Sequence, residues 1–173
     1  MHETRLVHLW LLRHAKSSWD RPELDDHERP LAPRGARAAA LLRDYLGAEG
    51  IHPDLLLCSS ALRARETLTH ILPALGSELV IRIERAVYRS DAADLVGLLR
   101  QVADGVGSVM LIGHNPAVQE LATTLAGSGD KLSEVTSKFP TGALAEIEFP
   151  SDRWSALAEG SGEVARFVIP RDL

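Results

Sequence analysis

The chain has a single cysteine, Cys58, in 173 residues, which excludes an internal disulfide and a cysteine-rich zinc centre and agrees with a reducing compartment. It has no long hydrophobic run either. The apolar stretch near its start extends only from Leu6 to Leu12 behind a short leader, too short to span a bilayer and unlike a secretory signal. An excess of positive charge is also missing. A formal charge of −5 and a pI of about 5.8 give no general attraction to nucleic acid or acidic membranes, so any bound anion must be held by a local cluster. Internal repeats and low-complexity tracts are absent. The expectation is a cytoplasmic protein with no nucleic-acid or membrane partner. With 45% hydrophobic and 25% charged residues, one domain over residues 1–173 with a full-sized core is expected.

What is present is an alternation of short apolar runs and helical patterns. Leu6–Leu12 ends abruptly in Arg13-His14-Ala15, as interior strands of parallel sheets end in polar loops. Pro33 opens a helix in which Ala38, Leu41, Leu42, Tyr45 and Glu49 follow helical spacing before Gly50 stops it. Asp54–Cys58 reads as a second strand, followed by a helix with Ala64, Leu68, Ile71 and Leu75 on one face. Leu79–Ile83 is a third strand. The next helix begins near Asp91, with Asp91 and Asp94 approximating a capping box and Leu95, Leu98, Leu99 and Val102 as its stripe. Ser108–Ile112 then runs into Gly113-His114-Asn115-Pro116, where Asn115 is a suitable N-cap and Pro116 a suitable first residue of a helix. Residues 127–142 are polar and glycine-containing and read as a surface loop or flap. Two late strands, Ala143–Phe149 and Val164–Ile169, are expected to join a sheet edge antiparallel, since no crossover helix separates them.

Three strand-to-loop junctions carry polar groups: Arg13-His14, Ser59-Ser60 with Arg63, and His114-Asn115. Parallel neighbouring strands would converge these on one edge, where ligands of open α/β sheets collect. Two guanidiniums and two imidazoles near helix N-termini form an anion pocket in a protein of negative net charge.

The combination resembles the histidine phosphatase (phosphoglycerate mutase-like) superfamily, whose first motif, Arg-His-Gly, is here Arg13-His14-Ala15. Its Ser-Pro-Leu-x-Arg-Ala-x-Gln-Thr segment is matched at the serine, leucine, arginine, alanine and threonine of Ser59-Ser60-Ala61-Leu62-Arg63-Ala64-Arg65-Glu66-Thr67, and its third motif matches Gly113-His114-Asn115-Pro116. Within the family the short chain is similar to the SixA-type phosphohistidine phosphatases. Asp26-His27-Glu28-Arg29-Pro30-Leu31, Arg34-Gly35, Lys16-Ser17-Ser18-Trp19-Asp20 and Phe139-Pro140-Thr141-Gly142-Ala143 resemble elements of that subgroup. The implied fold is a three-layer α/β/α sandwich with a mainly parallel central sheet and no large cap insertion.

The resemblance implies that His14 is the nucleophile and carries the phosphoryl group as a phosphohistidine intermediate that water cleaves. Arg13, Arg63 and His114 would surround the phosphoryl oxygens, with Arg29 a fourth contact and Asn115 a further substrate-binding residue. No metal or other cofactor is implied, because the cationic groups supply the charge stabilisation. Ala15 departs from the family's glycine, which is a modest change if its φ is negative. Larger relatives use a glutamate after the third strand as general acid, and Glu84-Arg85-Ala86-Val87-Tyr88-Arg89 offers no clear match. Asp26 is a candidate acid or orienting group, the alternative being a loop carboxylate that holds Arg29. The missing acid favours a P–N bond, whose imidazole leaving group is readily protonated. The expected substrate is a phosphohistidine-bearing protein, such as a phosphotransfer domain in signalling. The alternatives are a small-molecule phosphomonoesterase and a phosphohistidine-binding module without turnover.

Other residues admit plainer readings. Cysteine-phosphatase chemistry needs Cys-x5-Arg, but the required position is Ala64, so Cys58 reads as a small buried residue. His2, His8, His27, His52 and His70 show no metal-ligand spacing, and Asp25-Asp26-His27-Glu28 reads as a solvated loop. Trp19 either closes the loop after the first strand or lines a substrate lip. Ser59 and Ser60 read as helix-opening residues.

Overall fold

Every second residue of the interior strands faces one helical layer and the intervening ones face another, which sets the architecture of the computed structural model. The structure describes Glu3 and residues 5–173. β1 (Val7–Arg13), β2 (Leu55–Ser59), β3 (Val80–Glu84) and β4 (Ser108–Gly113) form a parallel block, joined by β5 (Ala126–Ser128), β6 (Leu144–Phe149) and β7 (Gly162–Val168) in one sheet of order β3-β2-β4-β1-β6-β7-β5. Leu9 and Leu11 of β1, Leu55 and Leu57 of β2, and Val109 and Leu111 of β4 pack with α3 (Arg85–Arg89), α4 (Ala92–Arg100), α5 (Ala117–Leu125) and α6 (Leu132–Ser137). Trp10, Leu12, Leu56, Cys58, Met110 and Ile112 face α1 (Pro33–Glu49) and α2 (Leu62–Ile71). The result is the expected α/β/α sandwich. Strands buried on both faces read as continuous apolar runs for this reason.

The six expected strands hold to within two residues at each end, as is usual for element ends, and β5 is an additional short strand. β6 pairs antiparallel with β1 and β7 antiparallel with β6, as their short connection requires. The capping box of α4 is complete, Asp91 and Asp94 each accepting the other's backbone N–H.

Three expectations are corrected. The buried face of α1 is Gly35, Ala39, Leu42 and Leu46, while Leu41 is exposed. Gly35 sets that rotation, because a Cβ there would lie 2.1 Å from the Lys16 carbonyl oxygen, so the helix meets backbone rather than side chains at its first turn. Asn115 is not the N-cap of α5. Pro116 occupies that place, and the Asn115 side chain accepts from Gln119 N at 3.3 Å. Residues 127–142 are not one loop, for they hold the end of β5 and all of α6, with Val135 and Phe139 buried. Gly129, at φ +116°, would place a Cβ 2.4 Å from the Val164 carbonyl oxygen of β7, and Gly127 one 2.2 Å from the Gly160 carbonyl oxygen, so both are close-packing positions.

Candidate active site

Register alone brings the three polar junctions together. Arg13 at the end of β1 lies opposite Gly113 at the end of β4, and Cys58 of β2 lies opposite Ile112. His14, Ser59 with the first turn of α2, and His114 therefore share one edge.

His14 is buried, and its Nδ1 lies 2.7 Å from the Ala15 carbonyl oxygen. A carbonyl only accepts, so Nδ1 carries the proton and Nε2 keeps the lone pair. That Nε2 faces Arg63 Nε at 3.4 Å. Burial, reinforced by His114, Arg63 and Arg13 against the opposing Ala15 hydrogen bond, pushes the imidazole pKa down to about 3. His14 is consequently a neutral imidazole with a free nitrogen at neutral pH.

His114 Nδ1 accepts from Arg63 Nη2 at 3.3 Å, which leaves Nε2–H to donate to Ser59 Oγ at 2.6 Å. Burial and then Arg63 hold its pKa near 4, with Asp26 pulling the other way. The two imidazole rings lie 5.0 Å apart.

Arg63 is buried and fully directed. Its Nη1 donates to the Asp26 carbonyl at 2.7 Å and its Nη2 to Asp26 Oδ2 at 3.1 Å. Tyr88 Oη donates to the same Oδ2 at 2.7 Å, and Arg29 Nε to Oδ1 at 3.2 Å. Burial alone would raise the Asp26 pKa, but the Tyr88 hydroxyl, Arg63 and Arg29 outweigh it and bring it to about 2. An ionised carboxylate has no proton to give. Asp26 thus has the chemistry of an orienting group, and it holds Arg63 as well as Arg29.

Arg13 Nη1 donates to the Phe139 carbonyl at 3.0 Å, and its buried Nε has no partner among the described residues. A buried donor left without an acceptor is costly. An anion's oxygen would satisfy it. The Phe139 loop is itself fixed, since Gly142 N lies 2.9 Å from the Arg13 carbonyl oxygen and 3.0 Å from that of His14. Gly142 has φ +76°, a conformation that favours glycine.

Thr67 Oγ1 accepts from Ala15 N at 3.0 Å and donates to the Arg63 carbonyl at 2.7 Å, tying the loop after His14 to the helix bearing Arg63. No described residue other than glycine has a positive φ, so Ala15 in place of the family's glycine carries no backbone strain.

Arg29 and Asn115 are each one partner removed from the cluster. Arg29 donates to Ser17 Oγ at 2.8 Å and the Ser18 carbonyl at 3.2 Å, and the exposed Trp19 ring lies over it at 3.5 Å. The segment Lys16–Asp20 is thereby folded around Arg29. Asn115 Nδ2 donates at 3.0 Å to the same Phe139 carbonyl that receives Arg13. Sequence reasoning missed Tyr88 as the partner of Asp26 and Ser59 as the partner of His114. Tyr88 lies in Glu84–Arg89 with no local signal that marks a phenol as the partner of a carboxylate 62 positions away, and Ser59 sits where a helix-opening serine suffices to explain it. Cys58 is fully buried, and burial raises its thiol pKa to about 12, so it is no nucleophile.

The sequence profile of the histidine phosphatase superfamily, branch 1, matches residues 9–101. An uncharacterized protein of Mycobacterium leprae is 36% identical over 166 residues, covering 92% of this chain and all of that protein. The phosphohistidine phosphatase SixA of Escherichia coli is 25% identical over 143 residues, 82% of this chain and 84% of that one. A candidate SixA phosphohistidine phosphatase of Agrobacterium tumefaciens superposes with a TM-score of 0.80 at 28% identity, covering 95% of this chain and 98% of that one.

Proposed function

This chain belongs to the histidine phosphatase superfamily, and from that premise we propose that it is a metal-independent phosphatase that removes the phosphoryl group from phosphohistidine in a signalling protein. Family membership and the SixA-like fold support the phosphatase activity. The substrate class rests on one observation: the carboxylate beside the cluster, Asp26, is bound by Tyr88, Arg63 and Arg29 and stays ionised. A P–O ester needs a proton for its alkoxide, whereas an imidazole leaving group takes its proton readily from solvent.

In the proposed mechanism His14 Nε2 attacks phosphorus while the substrate's P–N bond breaks, the departing imidazole keeping the electron pair and then taking a proton. The charge that develops on the His14 ring is stabilised through Nδ1–H and the Ala15 carbonyl. Arg63 and Arg13 donate to the phosphoryl oxygens, and His114 joins them when the incoming phosphoryl charge protonates its ring or turns its N–H away from Ser59. Water then attacks phosphorus, the P–Nε2 bond breaks, and phosphate leaves with His14 restored. Arg29 and Asn115 act by holding Asp26 and the Phe139 loop.

A substrate panel tests this reading. The kcat/KM values for a phosphohistidine protein, phosphorylated sugars and an aryl phosphate are compared in the presence of EDTA. Preference for the phosphohistidine protein with undiminished activity is expected. Preference for sugars would overturn the substrate class, and strict metal dependence would overturn the mechanism.

A further inference from the structure

A cleft of about 890 Å³ lies beside the phosphoryl site, on the same edge of the sheet. Its placement follows from topology. β7 runs parallel to β1, so Ile169, Pro170 and Arg171 emerge where His14 does, and β6, being antiparallel, begins there after Pro140 and Thr141. The opposite wall is the first turns of α1, with Arg34, Arg37, Ala38 and Leu41. Lys16, two residues beyond the nucleophile, joins the cleft to the phosphoryl site.

The chemistry of the cleft is of two kinds. Its floor is apolar, from Leu41, Pro140, Phe167, Ile169 and Pro170, and Leu41 is 45% exposed. Its rim is cationic, from Lys16, Arg34, Arg37, Lys138 and Arg171. Among the described residues Lys16, Arg34, Arg37 and Lys138 have no carboxylate partner, while the cleft's acid, Glu134, is already paired with Lys131 at 2.9 Å. Unpaired cations gathered around an apolar floor, in a chain of net charge −5, are complementary to a surface that alternates carboxylates with apolar side chains.

We propose that this cleft docks an acidic amphipathic helix of the phosphohistidine-bearing protein; the proposal rests on the substrate class given above. The cationic cluster around His14 recognises only the phosphoryl group, which every phosphohistidine shares. The cleft supplies the contacts that select which protein is dephosphorylated. Its position sets a spacing. From β1 across β6 to β7 is two strand separations, about 10 Å, so the docking residues lie about seven residues, or two helical turns, from the phosphohistidine.

The test uses free phosphohistidine and two synthetic peptides of equal length. Each peptide carries phosphohistidine two turns from an amphipathic segment, of Glu and Leu in one and of Lys and Leu in the other. The wild type is expected to favour the acidic peptide by about tenfold in kcat/KM, mainly through KM, as steering and rim contacts act on association. Arg34→Glu with Arg37→Glu, both exposed on α1, should abolish or reverse that preference and leave the rate on free phosphohistidine unchanged. That unchanged rate also reports that the variant is folded. Turnover of both peptides without discrimination, or a preference that survives the double substitution, overturns the docking proposal alone. So does tight binding of decyl phosphate, a small anionic amphiphile, without peptide preference. A wild type that turns over neither free phosphohistidine nor either peptide overturns the proposed substrate class instead.

Discussion

The phosphoryl site and the neighbouring cleft both gather cations at one sheet edge, yet they treat them in opposite ways. Arg63 is buried and tied to Asp26 through two nitrogens, and Arg29 is buried against Ser17, Ser18, Asp26 and Trp19. Arg34, Arg37 and Lys138 in the cleft are exposed, with no carboxylate holding them among the described residues. The difference separates two uses of charge. A guanidinium fixed before substrate arrives costs no reorganisation at the transition state, so it accelerates chemistry. A mobile surface charge is screened by salt and acts on encounter and selection.

That contrast can be broken at several points. His14→Ala should abolish turnover, and a brief reaction of wild type with labelled substrate should leave an acid-labile, alkali-stable phosphoryl group that the variant lacks. Full activity in the variant would remove the covalent step. Arg63→Ala should lower kcat by about 10²–10³-fold, the usual cost of losing one preorganised charge contact. An unchanged rate would place Arg63 with the cleft arginines.

Acid should act through the histidines. Both have folded pKa values, about 3 for His14 and about 4 for His114, below the unfolded value near 6.5. Activity should therefore stay level from neutral pH down to about 3 and fall roughly tenfold per unit below it as His14 protonates. Between pH 6.5 and 3 the unfolded chain binds more protons than the folded one, so stability should decline as pH falls through that window, measured as Tm. A kcat profile that instead breaks near 6.5 would mean that His14 is not desolvated.

Asp26→Asn keeps the shape but removes the charge that aligns Arg63, and a loss of about tenfold in kcat is expected. The same substitution removes no proton donor, so the ratio of phosphohistidine to aryl phosphate activity should stay constant. Loss confined to the aryl ester would make Asp26 an acid. The smallest effect is that of salt. Raising ionic strength from about 0.05 to 0.5 M should raise KM for an acidic phosphopeptide a few-fold and leave free phosphohistidine nearly unaffected.

Much of this was legible in the chain because parallel strands announce themselves. Leu9–Leu12, Leu55–Cys58 and Val109–Ile112 are apolar throughout since helices cover both faces, and the polar residues at or just beyond their ends include His14, Arg63 and His114. In the glycine-containing stretch 127–142 Gly129 both starts a turn, its carbonyl accepting from Leu132 N at 3.1 Å, and lets the backbone approach Val164, a packing role that composition does not record. The face of α1 was misplaced for a related reason: Gly35 meets the Lys16 carbonyl, a contact that no hydrophobic pattern records.

The sequence by itself determined the layers and placed Arg13, His14, Arg63 and His114 at or just beyond strand ends, since periodicity and strand ends are local properties of the chain. Tertiary structure alone decided what each charge does. Tyr88 meets Asp26 across 62 positions, and Arg13 and Asn115 meet at the Phe139 carbonyl. The cleft is walled by α1 and the end of β7, the first α-helix and the last strand. Whether a guanidinium is held or free depends on partners that only folding brings within about 3 Å.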